Sequence, residues 1–133
     1  MAKSQFGVVG HHISRSYKTD VVVSAGIAVV AGAAPNSVAL PGGQNVRALG
    51  VTSLATQNIG DPVTVVESGE VTAIADAAIA RGQWLMVNAV TGQLAPIGVV
   101  AGTNYEVVGV ALEAAVAQGD EFLMFVCPSR AQG

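Results

Sequence analysis

Glycine and proline break this chain so often that no stretch sustains a helical period. There are 16 Gly and 5 Pro in 133 residues, and the apolar runs between them are short and rich in valine. Runs of β-branched residues bounded by turn residues read as strands. They occur at residues 17–23, 26–30, 37–40, 46–53, 62–67, 70–74, 83–88, 93–95, 105–112 and 121–127. The pattern predicts a mainly β fold, a compact single-domain β-barrel or small sandwich, because either closes short strands around one core. Ser68-Gly69 between two of the runs reads as a two-residue hairpin loop, and Thr91-Gly92 as part of a longer one. One short helix is expected at residues 76–82, where Asp76 is placed to cap, Ala77 to Ala80 suit a helix and Gly82 ends it.

The chain repeats itself weakly. Gly50-Val51, Ala55 and Gly60-Asp61 are matched 59 residues later by Gly109-Val110, Ala114 and Gly119-Asp120, and a strand-like run follows each copy. Glycine supplies a positive φ at such a turn, and Asp hydrogen-bonds its own backbone. Two copies, at residues 50–66 and 109–125, imply pseudo-symmetry inside one β-rich domain, residues 19–133, rather than a solenoid.

Charged residues make up only 11 % of the chain, against about 25 % in ordinary soluble domains, while 51 % are apolar. A chain this small has too much surface to hide that apolar content alone. Self-association or a covering partner is therefore expected. The net charge of −3, with basic residues scattered singly, argues against nucleic acid as a partner. The longest apolar run, residues 21–34, is too short to cross a membrane as a helix. Residues 1–18 lack the apolar centre of a secretory signal, which predicts synthesis in the cytoplasm. The lone Cys127 sits in an apolar run and is expected to be buried and inert.

Residues 1–18 differ from the rest, being polar, basic and glycine-spaced, and read either as an extended N-terminal arm or as a frayed or edge segment. Lys3, Phe6, Arg15, Tyr17 and Lys18 are the candidates for partner contact, because aromatic and cationic side chains tend to carry interface energy. Elsewhere the residues offer little chemistry. His11-His12 point apart on an extended chain and make a poor chelate, so no metal and no cofactor is expected. Asp61 and Asp120 already have turn roles, Glu67 and Glu70 flank the expected hairpin, and no nucleophile or phosphate-cradling motif is present. Trp84, Phe122 and Phe125 lie in strand-like runs and are expected in the core.

Three segments carry a resemblance. They are Gly50-Val51 through Asp61-Pro62-Val63-Thr64-Val65, Ile74 through Gly82-Gln83-Trp84-Leu85, and Val108-Gly109-Val110-Ala111-Leu112-Glu113-Ala114-Ala115 through Gly119-Asp120. With Ala25-Gly26-Ile27-Ala28-Val29-Val30 and Val38-Ala39-Leu40-Pro41, they resemble the cement (decoration) protein family of tailed-phage capsids, over roughly residues 17–127. The resemblance implies a non-enzymatic virion structural protein on the outside of the mature head, commonly a homotrimer. It would brace neighbouring major capsid protein subunits after expansion, and residues 1–18 would be an arm across the capsid surface. Another virion part, such as a head fibre base or a tail-associated protein, fits the composition as well. A carbohydrate-binding module lacks an aromatic platform, and a small enzyme lacks convergent polar residues.

Overall fold

The computed structural model describes residues 13–53, 55–88, 90–98 and 101–132. Among them are nine strands and no helix: β1 Ile13–Thr19, β2 Ala28–Ala31, β3 Ser37–Ala39, β4 Gly50–Thr52, β5 Pro62–Ile74, β6 Trp84–Val87, β7 Leu94–Pro96, β8 Asn104–Ala111 and β9 Glu121–Gln132. Five strands close a barrel in the order β1–β3–β2–β4–β5, with β5 returning to β1. Only the β1–β3 pair, Lys18↔Ser37 and Thr19↔Val38, is parallel in this ring.

The second half of the chain repeats the ring. Strand β5 continues into the order β5–β9–β8–β6–β7, and the parallel bridge Ala75↔Leu94 brings the end of that sheet back to the end of β5. The registers coincide pair by pair. Val51↔Val66 and Thr52↔Val65 in the first barrel correspond to Val110↔Phe125 and Ala111↔Met124 in the second. Tyr17↔Val63 corresponds to Phe122↔Ala73, Ala28↔Val51 to Trp84↔Val110, and Val30↔Ala39 to Met86↔Ala95. Gly50 and Gly109 stand at equivalent places for one reason: a Cβ there would strike the Val66 or the Phe125 carbonyl of the neighbouring strand. The Gly-Asp turns are equivalent too. Asp61 Oδ2 accepts from the backbone N–H of Gln57 and Asn58 at 3.1 and 2.9 Å, and Asp120 Oδ2 from those of Val116 and Ala117 at 3.1 and 3.0 Å.

Two sequence expectations are corrected. Ser68-Gly69 is no hairpin: the 13 residues of β5 run unbroken, pairing with β1 and β4 through their first half and with β9 through their second. Gly69, at φ +124, lets the strand pass from one barrel to the other without a turn. Residues 76–82 form no helix. Ile79 exchanges backbone hydrogen bonds with Ala115, both 2.9 Å, and one or two turns of alanine cannot offset the cost of nucleating a helix against that pairing. Asp76 caps nothing there; its carboxylate accepts from Asn88 Nδ2 at 2.7 Å and Gln118 Nε2 at 2.9 Å.

Each barrel has its own core. Val23, Ile27, Val29, Val38, Val63 and Val65 fill the first, with Tyr17, Val21, Leu40 and Leu49 packed against them. The second is larger and includes Leu85, Val87, Leu94, Phe122, Met124 and Val126. Burying a side chain such as Phe122 contributes about 2–3 kcal/mol. Because successive side chains in a strand face opposite ways, Val65 points into the first barrel and Val66 points out of it. Ala28, Val51 and Val66 form an outward row that joins the core cluster of the second barrel. Backbone contacts fasten the junction. Ala28 N donates to Gly92 O at 2.8 Å and Asn45 N to Val87 O at 2.9 Å. Asn45 also spans to the start of β8, donating to Asn104 O at 2.9 Å and accepting from Glu106 N at 2.8 Å.

Candidate functional site on the first strand

Of the five residues expected to contact a partner, Lys3 and Phe6 lie outside the described residues. The other three lie on β1, so residues 13–18 belong to the first barrel as a paired strand. The structure brings two of them together and sets the third apart. Residues 13, 15, 17 and 19 share the face that turns toward the barrel interior, where Thr19 is buried, Tyr17 half-buried and Arg15 exposed. Ser14, Ser16 and Lys18 point the other way, into solvent.

At the open end of that inner face, Arg15 and Tyr17 meet Glu67 from β5. Arg15 Nε lies 3.2 Å from Glu67 Oε1, and the Tyr17 hydroxyl donates to Glu67 Oε2. The hydrogen bond to the carboxylate, assisted by burial, raises the Tyr17 pKa above its ordinary value of 10.0. The ion pair itself is exposed on the arginine side and contributes at most about 1 kcal/mol. Lys18 makes no ion pair among the described residues. The sequence places Glu67 at the flank of a hairpin and gives no sign of its role, because Tyr17 is 50 residues away and Arg15 lies further still.

The remaining groups sort by environment. His11 and His12 lie outside the described residues, and among the described ones no group of three metal-ligating side chains converges. A groove beside β5, lined by Ala25, Gly26, Ser53, Val71, Thr72, Ile74 and Glu121, holds one carboxylate. Cys127 is half-buried, and that burial pushes its thiol pKa up, away from a reactive thiolate. Phe122 is in the core as expected, but Trp84 is 48 % exposed and Phe125 half-buried. The run Trp84-Leu85-Met86-Val87 is apolar at every position, so no alternation in the sequence shows which residues face out.

A family model described as phage cement protein matches residues 8–126. The chain belongs to that family. This cement protein is therefore a structural component of the virion. No curated protein matches it. Among solved structures it is similar to the head fibre gp8.5 N base of bacteriophage phi29, with a TM-score of 0.65 and 18 % sequence identity, over 92 % of this chain and 99 % of that one. At that identity the likeness speaks to the fold of the cement protein alone.

Proposed function

We propose that this cement protein binds the exterior of the mature phage head and stabilises contacts between major capsid protein subunits, acting as a homotrimer and without catalysing a reaction. The family match over residues 8–126 is the observation that carries the reading. One feature of the structure supports it. Strand β1 presents Ser14, Arg15, Ser16 and Lys18 to solvent on a rigid barrel wall. In this reading residues 1–18 are the arm toward the capsid, and the first twelve of them, with Lys3 and Phe6, lie outside the described residues. Many copies per head multiply weak contacts, so Lys3, Phe6, Arg15, Tyr17 and Lys18 need supply only modest affinity each.

The test is co-sedimentation of the purified protein with expanded heads that lack it, with unexpanded heads as the comparison. Saturable binding to expanded heads, in fixed ratio to the major capsid protein, is the expected result. Absence of binding to both forms rejects the reading. A second reading, the base of a head fibre, is favoured by the likeness to the phi29 head fibre base. Electron microscopy of saturated heads separates the two, because cement is spread over the shell whereas a fibre base lies beneath projecting fibres.

A further inference from the structure

The second barrel carries an apolar row on its outside. Trp84 pairs with Val110, and Val110 pairs with Phe125, so the three side chains are direct neighbours across β6, β8 and β9. Glu70, the partner of Phe125 on β5, ends the row with a charge. The solvent face of an antiparallel sheet ordinarily alternates to polar residues. Here Trp84 is about half exposed, and Val110 and Phe125 are half-buried among the described residues.

The first barrel shows what such a row is for. Its equivalent positions, Ala28, Val51 and Val66, are at most 1 % exposed, because a barrel of the same construction is packed on them. We propose that the Trp84–Val110–Phe125 face of this protein packs against a second copy of the chain. The low charge content of the sequence points the same way, since the interior of one chain leaves these large apolar groups uncovered. Tryptophan and phenylalanine in a central row are the residues that anchor such contacts.

The approach of the second copy differs from the packing inside the chain. Within the chain, Gly92 rests on Ala28, and a Cβ at Gly92 would collide with the Ala28 carbonyl. The equivalent positions on the two outer ends are Asn36, which like Gly92 has a positive φ, and Trp84. Both are too large for that contact, so barrels cannot stack onward by the internal geometry into an open filament. The copies meet through the apolar row in a contact of their own, which fits a closed assembly.

Trp84 is the only tryptophan, so its emission reports on the face directly. The experiment follows sedimentation mass together with tryptophan emission and acrylamide quenching over a dilution series of the full chain. The expected result is an oligomer at high concentration with shielded Trp84, and a red shift with increased quenching as the mass falls to that of a monomer. Phe125→Glu should be monomeric throughout, with unchanged far-UV circular dichroism. If that variant fails to fold, Val110→Thr, at the centre of the row and nearly isosteric, should move dissociation to higher protein concentration. A protein monomeric at every concentration overturns the proposal. So does an oligomer in which Trp84 stays quenchable, whether or not added heads then shield it, and so does a folded variant with an unchanged mass curve. The inference rests on the self-association in the proposed function: a monomer at every concentration rejects both, an oligomer with a quenchable Trp84 rejects this face alone, and neither outcome bears on head binding.

Discussion

The Tyr17 hydroxyl donates to the Glu67 carboxylate across the β1–β5 pair, joining positions 50 residues apart at the mouth of the first barrel. The bond lasts only while the phenol keeps its proton. Its pKa is raised in the fold above the ordinary 10.0, first by this hydrogen bond and then by burial. The folded state therefore holds the proton more tightly than the unfolded chain, so this contribution is fully present below pH 10 and is lost as pH rises through the folded value. Tyr17→Phe should cost about 1 kcal/mol below that range. The urea midpoint of the natural sequence should fall more steeply above pH 10 than that of the variant. Parallel curves would refute the assignment.

Gly50→Ala and Gly109→Ala should each destabilise the fold by about 2 kcal/mol, the cost of forcing an atom into a packed strand pair. Neither position has a positive φ, so the penalty comes from the neighbouring carbonyl rather than from backbone strain. Gly43→Ala is the control, because a Cβ there meets nothing closer than 3.8 Å. Its unfolding free energy from urea titration should stay within about 0.5 kcal/mol of the starting protein.

Thr56 does with a side chain what Ala115 does with its backbone. Val23 N donates to Thr56 Oγ1 at 2.9 Å, whereas Ile79 N donates to the Ala115 carbonyl at 2.9 Å. Thr56→Ala leaves the buried Val23 amide without its acceptor and should cost about 1–2 kcal/mol. Thr56→Ser keeps the hydroxyl and should recover most of it. Hydrogen exchange at Val23, faster in the alanine variant than in the serine variant, checks the mechanism.

Removing residues 1–12 leaves β1 intact and should give a folded protein with weaker head binding. Removing residues 1–19 takes a whole strand from the first barrel and should unfold it, because β1 is the partner of both β5 and β3. Lys18→Glu changes only the solvent face of β1. It should weaken head binding about fivefold, roughly 1 kcal/mol, with an effect that shrinks as salt rises. Co-sedimentation with expanded heads and circular dichroism of each variant distinguish the outcomes.

The sequence disclosed most where the backbone itself demands a residue. Asp61 and Asp120 are required by their own turns and are legible without knowing the fold; Gly50 and Gly109 show in the sequence only as a repeat, because the carbonyls that require them belong to neighbouring strands. The mainly β class followed from the same punctuation. Long-range pairing was not legible. Ser68-Gly69 carries the same local signal in a hairpin as in a through-going strand, and only the arrival of β1, β4 and β9 decides between them. The alanines at residues 77–80 favour a helix until Ala115 offers Ile79 a partner. Trp84 reads as core because it stands in an apolar run, and only its place beside Val110 says outward. Of the five contact candidates, Tyr17 and Arg15 meet only through Glu67, a meeting that the register of β5 creates.

The chain goes from one barrel to the other inside β5, so there is no linker at the crossing to act as a hinge. At about 3.3 Å per residue, that strand is a strut roughly 40 Å long. A pull on one barrel is transmitted to the other through backbone hydrogen bonds loaded in shear along β1, β4 and β9 rather than peeled apart singly. The spacing of the two barrels is thus set by the backbone they share, and it holds for as long as the strands paired with β5 stay in place.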